Sequence, residues 1–528
     1  MLNLTKKFIQ LKSVRPNIGY TKAGLKMIND KFYKNSAIVT LANLLTGMLA
    51  FIFSIILSRK IGTEGMGLYG LIMPIYSLAI CIVAEGLITA ISKITAGYFS
   101  KNDFTNLKRT ISVTAFFILI WAIFISFMLY LLSGFLSSKV INDARTVYAL
   151  RILCPAVIII PISAIFKGYF YGSGKFYVTS LIDICEKAFR VTILLFAIVI
   201  LSSDNLQETV TSAFAAVALG EFLSFFILLF SYFKNSRNEG STQNIQNKPQ
   251  LLFNVLAISL PLCLNGILSS ILSTASSLIL PRRLASTGIT YAAALSLIGK
   301  FSGMALNITF FPMVIVGSMS TVLVPDISTN ITMRDFRSVK KRVRQVFSIA
   351  AMVGISTVIM NLIIPDELGM LVYKRDDLGS YIKFAAICSL LTYISIPTYG
   401  ILNGLGKQKV ILMNSLTVSV MEVILIYILS AIPGINIYGL GITLVITSVT
   451  ALIINMRELK KTLEIQLPFL NFLKSLIIGV ITFFTVKFIS GLLPQNDLSF
   501  KCITVILLTY LLPFIIWRIR NPLKPKAT

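Results

Sequence analysis

Residues 111–133 read ISVTAFFILIWAIFISFMLYLLS, twenty-three positions without a charged side chain. A helix of that length rises about 35 Å at 1.5 Å per residue, enough to cross a hydrocarbon core of roughly 30 Å. Stretches of the same kind recur near 37–58, 68–91, 147–166, 178–201 and 211–232, and after the polar residues 234–250 near 252–280, 293–324, 346–364, 382–403, 410–431, 435–456, 469–492 and 502–517. The fold class that follows is all-α and integral to a membrane, with about fourteen transmembrane helices.

The composition agrees. Hydrophobic residues make up 56% of the 528 and charged residues 13%, against roughly 25% charged in soluble domains. Histidine is absent, which removes the commonest general base and metal ligand. Cys81, Cys154, Cys185, Cys263, Cys388 and Cys502 lie in or beside apolar stretches without CxxC spacing and read as small hydrophobes. No cofactor is expected.

The net charge of +27 is a topology signal and not a nucleic-acid surface. Of the 48 Lys and Arg, 32 fall on the side of the amino-terminal leader, 9 in the alternate loops and 7 within spans. By the positive-inside rule both termini are expected in the cytoplasm, in a multi-pass protein of the cell (inner or plasma) membrane. The leader is long and lacks a small-residue cleavage site, so no cleaved signal is expected. The chain divides into a basic leader (1–36), an N-lobe of six spans (37–232), a linker (233–250), a C-lobe of six (251–456), and two further helices with a basic tail (457–528).

The lobes repeat. Asp103, Phe104 and Lys108 return as Asp335, Phe336 and Lys340, and Gly172, Gly174 and Lys175 as Gly404, Gly406 and Lys407, all 232 residues on. Leu57, Arg59 and Gly65 match Leu280, Arg282 and Gly288 at an offset of 223, as though nine residues entered the second copy between the two blocks. Two copies of six spans enter the membrane in the same direction, so a pseudo-two-fold along the membrane normal is expected, with a cavity between the lobes. The Gly-x-Gly-Lys turns lack the P-loop pattern and read as tight turns with an anchoring lysine. The basic run Arg334, Arg337, Lys340, Lys341, Arg342 and Arg344 reads as a helix lying on anionic lipid.

Charges inside spans cost about 2.5–3.5 kcal/mol each on insertion scales, so those present face a protein interior or a wet cavity. They are Glu85, Arg151, Asp183, Glu186, Lys187, Arg190, Glu221, Lys300 and Glu422. Asp183 with Lys187 and Glu186 with Arg190 are i, i+4 pairs, either self-neutralising or serving a substrate or coupling ion. Glu85 and Lys300 sit in the second span of each lobe. They read either as one inter-lobe ion pair, or as a phosphate-holding lysine and a cation- or proton-binding acid. Arg59, Lys60, Arg282 and Arg283 end the first span of each lobe against the positive-inside trend, and read either as interfacial snorkelling or as a cationic entrance to the cavity. Glu422 is a further intramembrane acid for ion coupling or pairing.

The stretches Ser58-Arg59-Lys60-Ile61-Gly62, Ala84-Glu85-Gly86, Lys167-Gly168-Tyr169-Phe170-Tyr171-Gly172, Phe301-Ser302-Gly303-Met304-Ala305 and Leu323-Val324-Pro325, with Glu186, Arg190, Val191 and Pro312, resemble the multidrug/oligosaccharidyl-lipid/polysaccharide exporter superfamily. Within it the chain is similar to stage V sporulation protein B-like and MurJ-like lipid II flippases, over nearly its whole length. That resemblance implies V-shaped lobes around a sugar pyrophosphate, and an extra helix pair forming a groove for a polyprenyl tail. It implies a flippase, not an enzyme, that moves a polyprenyl-linked peptidoglycan precursor outward by alternating access for spore cortex or cell wall synthesis. Arg59 matches the family's Arg-x-x-Gly arginine, and Glu85 the acid of Ala-Glu-Gly. Other cavity arginines of the family have no counterpart, and Lys300 stands as a replacement for one. The expected drive is the membrane potential or a Na⁺ or H⁺ gradient. The expected partners are the lipid-linked glycan, membrane lipids and wall or cortex synthesis enzymes, with no nucleic acid. The alternatives are a flippase for another polyprenyl-linked glycan and a cation-coupled drug exporter of the same fold. A membrane glycosyltransferase would need a larger outer loop than residues 365–381.

Overall fold

The computed structural model describes residues 22–201, 205–236, 246–463, 469–494 and 497–520, and among these all regular structure is helical. In chain order the helices are α1 (Lys22–Ala84), α2 (Leu87–Ser100), α3 (Phe104–Phe135), α4 (Val147–Gly172), α5 (Phe176–Leu201), α6 (Leu206–Ser236), α7 (Lys248–Ala285), α8 (Tyr291–Ile298) and α9 (Leu306–Phe310). They continue with α10 (Met313–Thr332), α11 (Phe336–Ile363), α12 (Pro365–Tyr373), α13 (Gly379–Gly404), α14 (Gln408–Leu429), α15 (Tyr438–Leu463), α16 (Phe469–Leu492) and α17 (Leu498–Arg520). The kinked α1 makes the first crossing and, with α2, the second, and α8 to α10 make one. With α5, whose four charges lower its hydropathy, fourteen crossings result.

The expected boundaries shift in places. Residues 22–36 of the leader already belong to α1, α15 runs on to Leu463, and parts of the leader (1–21), linker (237–245) and tail (521–528) lie outside the described residues. The basic run opens α11, a crossing helix capped by Asp335, and does not form a separate surface helix.

In neither lobe is the second span a continuous helix. In the N-lobe the chain turns at Gly62 (φ 67°), stays helical past Pro74, and breaks at Glu85-Gly86, where Gly86 takes φ 77°. A positive φ is open to glycine because no Cβ meets the backbone. In the C-lobe α8 widens into a π-helical segment (Gly299–Ala305), continues as α9 and breaks at Phe311-Pro312, because proline has no N–H to continue the ladder. Broken helices at membrane depth are tolerated where protein or a cavity surrounds the free backbone groups.

These two spans cross each other backbone to backbone. A Cβ on Gly67 would lie 2.2 Å from the Leu295 carbonyl oxygen, and one on Gly299 would lie 1.8 Å from that of Thr63. Position 63 maps to 295 and 67 to 299 at the same offset of 232, so the contact is reciprocal, as a pseudo-two-fold requires. It also revises the repeat. The 232 register already holds at Thr63, so the extra residues lie in the turn between α7 and α8. Gly65, packed in α1, and Gly288, at φ 96° in that turn, are not equivalent.

Within each lobe the copies share packing. Gly168 and Gly172 of α4 lie against Ile88, Ile91, Ser92 and Thr95 of α2, as Gly400 and Gly404 of α13 lie against Ser320, Val324 and Ile327 of α10. Small residues four apart let helix backbones approach closely where no hydrophobic effect drives association. Asp103 and Asp335 each cap a helix, accepting from the backbone N–H of Asn106 and Ser338. In the Gly-x-Gly-Lys turns Lys175 donates to Asn235 (2.8 Å) and Lys407 to Glu458 (2.8 Å). The last two helices pack outside the C-lobe on α11, where the Thr357 hydroxyl meets that of Tyr510 at 2.9 Å and Gly479 lies against Ile355.

Candidate functional site: a cavity between the lobes

A cavity of about 340 Å³ opens between the lobes, bounded by α1 (Ser54, Leu57, Met66, Tyr69), by Lys187 and Arg190 of α5, and by Ser302 and Asn307 across the interface. A second, of about 310 Å³, adjoins it across Gly70, Ile298 and Ser302 and is lined by Ser276, Ser277, Thr443, Thr447 and Glu422. The Asn307 amide donates to the Ser54 hydroxyl across the first cavity's wall at 2.9 Å.

The charges of α5 set the character of the first cavity. Glu186 pairs with both Lys187 (3.0 Å) and Arg190, and Arg190 reaches on to Glu221 of α6. Glu186 stands behind Lys187, its side chain 4% exposed against 29%, and neither Glu186 nor Glu221 lines the cavity. Lys187 and Arg190 are the charged residues of this wall. The Glu186–Arg190 pair matches the i, i+4 expectation, but Asp183 does not pair with Lys187. It binds Lys167 of α4 at 2.7 Å, because a neighbouring helix supplies a closer cation than its own next turn.

Glu85 and Lys300 do not form an ion pair. Lys300 binds Asp377 at 2.8 Å, in the turn after α12, where Arg375 holds the same carboxylate. The N-lobe counterpart of Lys300 at the 232 offset is Leu68, seventeen residues before Glu85 and so about 25 Å away along a helix. Glu85 is exposed at the break between α1 and α2, beside Gly266 of α7, with the Cys81 thiol 4.0 Å from its carboxylate.

Arg59, Lys60, Arg282 and Arg283 line neither cavity. They stand at the face of the bundle opposite the start of α1. There Arg59 donates to the Leu371 and Val372 carbonyls, and Arg282 to those of Lys139 and Val140. Arg283 donates to the Tyr427 carbonyl and lies 4.1 Å over its ring, while Lys60 is half-buried beside Arg59. Arg151 stays within its lobe, bound to Ser133 at 3.1 Å and stacked over Tyr130. Glu422 lines the second cavity and makes no ion pair among the described residues.

Lys167, Tyr69, Ser54, Ser302 and Asn307 are not among the site residues expected from sequence, although Lys167 and Ser302 fall in the motif stretches. Lys167 lies at a span end, where lysine is ordinary, and the others are uncharged and carry no insertion penalty large enough to mark them. Among the described residues no three His, Cys, Asp or Glu side chains converge as a metal cage, and the six cysteines are free thiols.

Comparison with known proteins fits this geometry. The family model described as polysaccharide biosynthesis protein matches residues 32–331, and that described as MatE matches residues 261–428. The chain is 25% identical over 472 residues to stage V sporulation protein B of Bacillus subtilis (strain 168), covering 89% of this chain and 90% of that one. The solved structure of a lipid II flippase MurJ in an inward closed conformation superposes with a TM-score of 0.69 at 15% identity, over 92% of this chain and 99% of that one. An inward-facing multidrug resistance transporter of the MATE family gives 0.65 at 17% identity, over 81% and 99%. Fourteen crossings, twelve of them in two repeated lobes, a cavity between the lobes and a family model spanning more than half the sequence converge: the chain is a multi-pass membrane transporter belonging to the polysaccharide biosynthesis protein family of the multidrug/oligosaccharidyl-lipid/polysaccharide exporter superfamily.

Proposed function

We propose that the chain flips a polyprenyl-pyrophosphate-linked glycan of the lipid II type across the cell membrane, from the cytoplasmic to the outer leaflet, by alternating access. The observation that carries this reading is the wall of the first cavity, which Lys187 and Arg190 line while their partners Glu186 and Glu221 do not. A pyrophosphate entering such a wall exchanges hydration for charge-assisted hydrogen bonds. In this reading both termini are cytoplasmic, which the 32 Lys and Arg on the leader side against 9 opposite support. Support for the substrate comes from the names of stage V sporulation protein B and lipid II flippase MurJ. The first points to spore cortex or cell wall synthesis, with the enzymes of that synthesis as partners. Each negative charge leaving a negative-inside cell gains roughly 2.3 kcal/mol per 100 mV, so the membrane potential can drive export.

The test uses cells depleted of their own lipid II flippase and expressing this chain, scoring the fraction of lipid II cleaved by an enzyme added outside. Restored cleavage supports the reading. No restoration, with the protein present in the membrane, transfers the substrate to another polyprenyl-linked glycan.

A second reading has one observation in its favour. Glu422 faces the second cavity among serine and threonine hydroxyls with no cation paired to it among the described residues, an arrangement suited to a coupling proton or Na⁺ and to a cation-coupled drug exporter. Loss of resistance to cationic dyes on deletion of the gene would favour it.

A further inference from the structure

Arg59 and Arg282 make the same contact twice. Arg59, at the end of the first N-lobe span, crosses to the C-lobe and donates from Nε to the Val372 oxygen and from Nη2 to the Leu371 oxygen, both at 2.7 Å. Arg282, at the end of the first C-lobe span, crosses to the N-lobe and donates from Nη2 to the Lys139 and Val140 oxygens at 2.7 and 2.5 Å. The arginines are 223 residues apart and the carbonyl pairs 232 apart, the two offsets of the repeat.

The acceptors have a physical reason to recur. Leu371 and Val372 lie in the last turn of α12, and Lys139 and Val140 in the π-helical turn that ends α3. A helix C-terminus leaves carbonyls without intrahelical partners and carries partial negative charge, so a guanidinium fork satisfies both. Each terminus is fixed by the turn that follows, which starts with a residue in the left-handed region (Asn142 at φ 66°, Lys374 at φ 57°, again 232 apart). Each turn carries a charged pair tied back to its own lobe. Asp143 holds Arg145, which binds Glu64, and Arg375 holds Asp377, which binds Lys300. The signs are inverted between the lobes, but the bracing is the same. Tyr291 adds a third crossing, donating to the Ile141 carbonyl.

We infer that Arg59 and Arg282 form a two-fold latch that holds the lobes together on the face opposite the leader, and that opening this face requires both guanidiniums to leave their helix ends. The acceptors are main-chain atoms, so the latch depends on the arginines and on helix geometry, not on a partner side chain. The claim concerns the opening equilibrium and stands whatever the cargo.

The test is a spin-label distance measurement on the full chain in lipid nanodiscs. Labels at Ser138 and Ser286, exposed positions in opposite lobes at this face, are placed in a background without the native cysteines. The native arginines should give a short-distance population. Arg59→Ala and Arg282→Ala should each raise the long-distance fraction relative to the short by roughly tenfold, and the double variant by about a hundredfold, since tenfold corresponds to about 1.4 kcal/mol, the size of one charged hydrogen-bond contribution. Arg59→Lys and Arg282→Lys keep the charge but lose the fork, and should open the face to an intermediate extent. They also carry the test if an alanine variant does not fold. An unchanged distance distribution in the double variant, or opening by one arginine but not its repeat partner, overturns the latch.

Discussion

Gly299→Ala puts a methyl group where the two second spans cross. Its Cβ would stand 1.8 Å from the Thr63 carbonyl oxygen, whereas real Cβ contacts essentially never fall below 3.0 Å, so the spans must part by about 1.2 Å. The obstructing atom is main chain and has no rotamer by which to escape. Overpacking of this kind costs typically about 1–3 kcal/mol, and replacing glycine with alanine in a helix returns at most about 1 kcal/mol. The net effect is destabilising by about 1–2 kcal/mol. Its effect on transport should be larger than that figure suggests, because Ile298 and Ser302 beside the clash form the wall shared by both cavities. Gly67→Ala, at 2.2 Å from the Leu295 oxygen, should behave the same way with a smaller opening. Gly97→Ala is the control: no heavy atom stands within 4 Å of its Cβ, and the helix should gain stability. Thermal unfolding of the purified proteins in detergent, followed by the loss of the monodisperse chromatographic peak, gives the ranking Gly97→Ala, native, Gly67→Ala, Gly299→Ala. A Gly299→Ala protein as stable and as active as the native one would refute the reciprocal crossing.

Other expectations separate charge from packing. Arg190→Ala leaves the half-buried Glu221 without its cation and the buried Glu186 with Lys187 alone, and should destabilise by about 3 kcal/mol, seen as poor yield and early unfolding. Lys187→Ala leaves Glu186 paired with Arg190, so it should lower transport while changing the unfolding temperature little. At the opposite face the Arg375 guanidinium, joined by Lys300, holds the Asp377 carboxyl well below the usual carboxylate range. A depressed folded-state value means that its stabilisation is fully present above the unfolded value of about 3.9 and is lost only as pH falls through the depressed one. Unfolding followed between pH 5 and 8 should show no step from this group, and Asp377→Asn should destabilise equally across that range.

Much of this architecture is legible in the letters because a bilayer imposes a length and a polarity on every crossing. Residues 111–133 admit no other reading, and the repeat shows wherever a glycine or a capping aspartate does the same work twice. The second-span breaks were half legible. Pro74 is the conspicuous breaker in the N-lobe, yet the chain stays helical through it and gives way at Gly86, since neighbouring helices can absorb a proline but a positive φ interrupts the ladder. The site was less legible for a definite reason. The duplication of Arg59 as Arg282 can be seen in sequence, but their acceptors are carbonyls, which every residue carries and no letter marks. Spacing along α5 suggests Lys187 as the partner of Asp183 and is blind to Lys167 on α4. Lys187 and Arg190 were visible as charges, but not that they line a cavity which Glu186 and Glu221 do not.

The central claim, that the cations at the lobe interface carry a lipid-linked pyrophosphate across the bilayer, is tested most directly with the purified chain in liposomes. The measurement is the rate at which a labelled polyprenyl-pyrophosphate disaccharide becomes accessible to an enzyme on the other side, under an imposed potential. The account predicts translocation that speeds up with potential, and that Lys187→Ala slows at equal protein content and equal unfolding temperature. Translocation at the protein-free rate, or a Lys187→Ala protein as fast as the native one, would contradict it.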